Sequence, residues 1–192
     1  TLGRQHNLDL LREVIMYYRL EKRSPGTTLG LYAGIFPRTM TEGSYSEAFF
    51  SDSLKFYDNN LEGILLKVSR PKAYFEVGCD WMGQYGQDRR EKFMVFTSGE
   101  GRILPFMSLG YAGYMLHYAN SVKAKGLVDN ILINPYVRFD LSENLGMQIL
   151  SFRLGYLQAM QRDRKYVGAF VCPYGGEFDQ EVRSWNVGIS NR

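Results

Sequence analysis

Two carboxylates, Glu76 and Asp80, stand four residues apart in the run from Ala73 to Met82. In an extended strand that spacing puts both on one face, about 13 Å apart at ~3.3 Å per residue. The paired carboxylates of a glycosidase sit roughly 5 to 10 Å apart, so these two do not read as a catalytic pair. Nucleophilic chemistry is equally sparse, because the chain has only two histidines, His6 and His117. The hydroxyls near His117 are Ser121, in an expected loop, and Ser108, which strand parity places on the opposite face. A Ser–His mechanism needs the two side chains within hydrogen-bond reach, so no catalytic role is expected. Cys79 and Cys172 lack metal-ligand spacing, and neither a metal nor a cofactor is expected. Each falls in a predicted strand and reads as a small apolar side chain; a disulfide between them would require neighbouring strands.

What the side chains do support is a polar contact surface. The candidates are Tyr32, Arg38, Lys67, Tyr74, Glu76, Asp80, Tyr136, Arg138, Asp140 and Arg153. Their acids and bases would form a charge network across a hydrated interior, or set its selectivity for ions or sugars. The tyrosines add ring faces and hydroxyls of the kind that hold a saccharide.

Such a surface needs elements that turn alternate residues the same way. Between Glu13 and Arg23, Val14, Met16, Tyr18 and Leu20 are apolar while Glu13, Arg19, Glu21 and Arg23 are charged, with Ile15 and Tyr17 between, which is the period of a strand. A Ser24, Pro25, Gly26 turn leads to a strand over 28–38, with Leu29, Leu31, Ala33 and Ile35 against Gly30, Tyr32, Gly34 and Phe36. Residues 39–60 read as a long loop containing a short helix or strand. Strands follow over 62–69 and 73–82, the second opposing Phe75, Val77, Cys79 and Trp81 to Tyr74, Glu76, Gly78 and Asp80. A loop over 83–90 precedes a strand over 91–98, and a loop at 99–102 precedes a strand over 104–118. The run 128–141 sets Ile131, Ile133, Pro135, Val137 and Phe139 against Asn134, Tyr136, Arg138 and Asp140. Strands over 150–156, 166–172 and 181–190 bring the expected total to about ten.

The composition agrees, with 14 Tyr, 12 Phe and 20 Gly among 192 residues, and mean hydropathy is only -0.28. Aromatics in a mildly hydrophilic chain favour strands. No apolar run approaches the ~18 residues of a transmembrane helix, but barrel strands alternate and escape that test. With 23 Lys and Arg against 20 Asp and Glu, there is no basic stripe of the kind nucleic acid selects. The densest charged run, Asp88 to Lys92, is mixed in sign and reads as a solvated turn. Thr1 to Asn7 is polar, without the basic-then-apolar layout of a secretory signal.

Several expected strands are long enough to cross a bilayer, which takes about 9 to 11 tilted residues. Their apolar faces carry Val, Ile and Leu, with Trp81, Tyr156 and Phe139 expected near strand ends as interfacial girdles. The fold expected is therefore all-β, a single antiparallel transmembrane β-barrel over residues 1–192, or a fragment of a larger one. The rival is a soluble all-β module, a sandwich or a lipocalin-like barrel that binds a ligand or glycan, since alternation alone does not separate the two.

The stretches GLYAGIFPRTMTEGSYSEAFFSDSLKFYDNNLEG, EVGCDWMGQYGQDRREKF and GYMLHYANS resemble outer-membrane barrels of Bacteroidetes, similar in outline to porins and to Wzi-type capsule-assembly barrels. That resemblance implies a barrel of about sixteen to eighteen strands, working in transport or surface-glycan handling from the bacterial outer membrane. It implies as partners outer-membrane lipid, a saccharide or small solute, and other outer-membrane proteins. Such barrels commonly end on an aromatic residue, whereas this chain stops at Asn191 and Arg192, so the expectation is a piece of a longer protein.

Overall fold

Alternation sorts the chain into two faces of one sheet. In the computed structural model, which describes residues 15–50, 58–84, 86–87, 90–119, 126–165, 168–184 and 187–191, ten strands pair antiparallel in chain order. They are β1 (Tyr17–Ser24), β2 (Thr27–Pro37), β3 (Asn60–Arg70), β4 (Ala73–Gly83) and β5 (Lys92–Leu104). The rest are β6 (Met107–Tyr118), β7 (Val128–Asp140), β8 (Ile149–Asp163), β9 (Tyr174–Ser184) and β10 (Val187–Asn191). A 3-10 turn, Arg38–Met40, follows β2, and a short helix α1, Ser142–Leu145, follows β7. β1 pairs only with β2 and β10 only with β9, so among the described residues the sheet has two open edges and is not closed.

The register aligns like faces across the strands. Tyr32, Leu65, Gly78, Phe96, Tyr114 and Leu132 form one continuous row on the side where residues 38–50 lie, which we call the inner face. Phe36, Leu61, Leu65 and Phe96 are fully buried there against Phe49 and Phe50, so the core lies between the sheet and a returning segment. On the outer face apolar side chains are exposed beside polar ones buried on the inner face: Phe75 is 45% exposed while its neighbour Glu76 is fully buried. Leu29, Ile64, Leu66, Leu109, Ile133 and Leu154 are likewise exposed on that outer face. Isolated apolar side chains on a surface mean little, but a contiguous apolar face marks a surface that meets something other than water.

The two ends of the sheet differ. At one, the connections between β1 and β2, β3 and β4, and β5 and β6 span two residues each and are opened by Pro25, Pro71 and Pro105, β9 and β10 are two residues apart, and β7 and β8 are joined by eight residues, 141–148, that include α1. Proline presets the φ that the first central position of such a turn requires. At the other end the connections are longer, over residues 38–59, 84–91, 119–127 and 164–173.

Several expectations change. β1 begins at Tyr17 rather than Glu13, and residues 13 and 14 lie outside the described residues. Residues 99–102, expected as a loop, are inside β5, because Gly99 and Gly101 pair with Tyr111 and Leu109 of β6. Of the strand expected over 166–172, residues 166 and 167 lie outside the described residues, the rest holds a single bridge from Val171 to Gln161, and Cys172 is exposed in a connection. The strand expected over 181–190 is two, β9 and β10, paired from Ser184 to Val187. Tyr156 lies mid-strand in β8 instead of near an end, as a girdle residue would.

Candidate functional site

After Pro37 the chain leaves the sheet, because Arg38 has its partners on the inner face. Its Nη2 donates to Asp80 Oδ2 at 2.8 Å and to Asp58 Oδ2 at 3.0 Å, and its Nε to the Asp58 carbonyl at 2.7 Å. Asp80 also accepts the Glu62 N–H at 3.0 Å, so both oxygens of this nearly dry carboxylate accept a hydrogen bond. A buried pair of this quality holds position more than it adds stability. Lys67 Nζ donates to the Met40 carbonyl at 2.7 Å, continuing the attachment.

Glu76 is the main anchor. It accepts the backbone N–H of Glu42 at 2.7 Å, the N–H of Gly43 at 2.9 Å and the Tyr45 hydroxyl at 2.7 Å. A Cβ on Gly43 would stand 2.5 Å from Glu76 Oε1, so only glycine lets the backbone come this close. Burial, reinforced by the Glu76 charge, raises the Tyr45 pKa above its ordinary value, which keeps the hydroxyl a donor. The Tyr74 hydroxyl accepts the Ser44 N–H at 3.1 Å and lies 3.1 Å from Ser98 Oγ.

Beyond these anchors lies a charged region on β7, β8 and β9. Arg138 and Arg153 are direct cross-strand neighbours, a repulsive placement relieved by carboxylates around them. Arg153 donates to Asp179 at 2.9 Å, lies 3.4 Å from Glu177, bonds Asn134 and stacks 4.1 Å over the Tyr136 ring. Arg138 lies 3.4 Å from Glu100, to which Tyr136 also donates at 2.8 Å. Both arginines reach Ser44, Arg138 to Oγ at 2.7 Å and Arg153 to the carbonyl at 3.4 Å. Between segment 38–50 and these strands is a cavity of about 560 Å³, lined among others by Arg38, Tyr45, Phe50, Arg138, Arg153 and Asp179. Around it Arg38 Nη1, Arg138 Nε, Arg153 Nε and Asp179 Oδ1 are buried without a hydrogen-bond partner among the described residues. Donors and an acceptor left together suit hydroxyl groups, which donate and accept at once.

Of the side chains singled out from the sequence, Arg38, Lys67, Tyr74, Glu76, Arg138 and Arg153 meet on the segment from Arg38 to Ser44, and Asp80 joins through Arg38. Arg38 does so from the 3-10 turn and not from the expected strand. Tyr136 supports Arg153, while Tyr32 donates to Glu21 at 2.7 Å beside Lys67. Asp140 stands to one side, accepting from Ser142 at the start of α1, with its charge felt by Arg102 and Arg138. Sequence reasoning missed Ser44, Tyr45, Asn134, Glu100 and Asp179. The available signal was the pair Phe49, Phe50 in an otherwise polar loop, which calls for an apolar place to go.

His117 is on the outer face with Asp129, its Nδ1 3.5 Å from Oδ1, whereas Ser108 pairs with Arg138 on the inner face and Ser121 lies outside the described residues. Among the described residues no group of His, Cys, Asp and Glu is placed to hold a metal ion, and no helix is long and apolar enough to cross a membrane. Comparison with protein-family models, with curated proteins and with solved structures gives no match to this chain.

Proposed function

We propose that the sheet is the wall of an outer-membrane β-barrel, its outer face against lipid and its inner face around a lumen narrowed by residues 38–50. In this reading it serves the passage or holding of small polar solutes, saccharides foremost. One observation carries the proposal: exposed aliphatic and aromatic side chains alternate with buried charged ones, as Phe75 does with Glu76. In water the cost of that arrangement is large; in a bilayer it is the stable one. β2 to β9 run from 11 to 15 residues, enough to cross, and connections of two residues at one end, the β7–β8 link apart, against eight or more at the other resemble the asymmetry of such barrels. Lipid does not tolerate open strand edges, so the wall needs strands beyond β1 and β10 to close. The unfilled donors and acceptor around the cavity favour a polyhydroxyl solute over a simple ion.

The open edges are the observation that favours the second reading, a soluble all-β ligand-binding module, whose outer face would then be packed by another sheet. The two native cysteines separate the readings. Cys79 projects from β4 on the outer face and Cys172 is exposed near the long-connection end. In vesicles, a membrane-dissolved maleimide is expected to label Cys79 and a charged, water-borne maleimide only Cys172. Labelling of Cys79 from water at the rate of Cys172, or a protein that stays dissolved without detergent, would overturn the membrane reading.

A further inference from the structure

At the long-connection end the outer face stops being apolar. Trp81, Phe93, His117, Asp129 and Arg162 form one row across β4 to β8. The Trp81 and Phe93 rings stack at 5.7 Å, and Phe93 lies 4.9 Å from His117. Next in the row, Asp129 Oδ2 accepts from Arg162 Nη2 and from Arg164 Nε, each at 2.8 Å. Two guanidinium groups on one carboxylate leave a net positive charge. The Arg162 guanidinium is held 4.3 Å over the Phe170 ring, its Nε is without a partner among the described residues, and Arg164 is half exposed. The neighbouring row towards the short-turn end, Val95, Met115, Ile131 and Met160, is uncharged.

A cationic cluster on the rim of an apolar wall matches one kind of molecule, with an anionic oxygen-rich head and an apolar tail. We propose that Arg162 and Arg164 form a docking site for the phosphate headgroup of an anionic lipid whose acyl chain lies along Met115 and Ile131. Guanidinium forks match phosphate oxygens, and the aromatic row marks the depth at which headgroups sit. The wall beneath is what selects a lipid phosphate over a free one. Asp129 holds the two arginines in place and competes with the ligand for them.

This inference rests on the membrane reading, and the test keeps the two apart. The protein is inserted into phosphatidylcholine vesicles with and without phosphatidic acid, extracted in mild detergent, and its retained lipids are counted by native mass spectrometry. Preferential retention of phosphatidic acid is expected, unaffected by excess inorganic phosphate. Arg162→Gln combined with Arg164→Gln should weaken it about tenfold, the worth of a charge-assisted hydrogen bond. Lys22→Gln, on β1 near the short turns, should leave it unchanged. Asp129→Asn should strengthen retention by freeing the arginines, whereas a purely structural ion cluster would lose stability with no such gain. Arg164→Gln alone keeps the Arg162–Asp129 bond and gives a second folded variant in which retention should fall. Equal retention of both lipids, or displacement by inorganic phosphate, would overturn the lipid site while leaving the barrel standing. Protein stripped from both vesicles by alkaline carbonate would instead overturn the barrel.

Discussion

On the inner face, the row from Tyr32 to Leu132 and the row from Ser69 to Glu177 lie four residues apart along each strand, yet their chemistry is opposite. The first packs Leu65, Phe96 and Leu132 against Phe49 and Phe50, with Tyr45 edge-on to Phe50 at 4.7 Å. The second carries Tyr74, Glu100, Tyr136 and Glu177, with Arg138 and Arg153 beside it. One short segment serves both, its Phe49 and Phe50 in the dry region and its backbone from Glu42 to Ser44 in the wet one. The difference shows how a loop can be held firmly beside a cavity that stays polar. Burial of rings supplies the holding free energy, and the charged region is left with buried polar atoms that lack a hydrogen-bond partner among the described residues.

The dry region should tolerate least. Phe96→Ala removes a fully buried ring that touches both Phe50 and Tyr45, and should cost about 3–5 kcal/mol in denaturant unfolding from detergent micelles. A cost under about 1 kcal/mol would erase the distinction between the regions. Glu76 joins them, so Glu76→Gln should have an intermediate effect, about 1–3 kcal/mol, with faster proteolysis between residues 41 and 46. Unchanged cleavage would mean that the aromatic contacts alone hold the segment. The smallest effect on stability belongs to Arg138→Gln, under about 1 kcal/mol, because that side chain is 32% exposed and its carboxylate contact is long. Its readout is ionic: in planar bilayers the variant should shift permeation towards cations. An unaltered ion preference would place the wet region off the solute's path.

Strands with strong contrast were legible from the residues. β4 and β7 declare themselves because their outward apolar side chains, alternate residues from Phe75 to Trp81 and from Ile131 to Phe139, each have a Glu, Asp, Asn or Arg as a chain neighbour, and the structure keeps both the elements and their faces. β5 was cut short because Gly99 and Gly101 look like a loop in one dimension. In the sheet they are strand residues, and a Cβ on Gly99 would stand 3.0 Å from the Tyr111 ring. The sequence pattern runs β9 and β10 together because no glycine or proline stands between Ser184 and Val187, which the structure pairs. The polar candidates were found by parity, which needs no knowledge of strand order. Their common partner was hidden, since nothing local in residues 41–46 says that the backbone will turn inward to Glu76; that follows from contacts made more than thirty residues away.

Among the described residues, every strand pairs with its neighbours in the chain and with no other. Each pairing therefore closes only the connection between its own two strands, so average contact order is low and the entropy of loop closure is met in small steps. The proline-opened hairpins β1–β2, β3–β4 and β5–β6 are natural folding units, with segment 38–59 the longest closure between them. Hairpins joined in this order can be added or deleted at an edge without rewiring the rest, so the sheet can change its width during evolution while the anchored segment and its cavity stay in register.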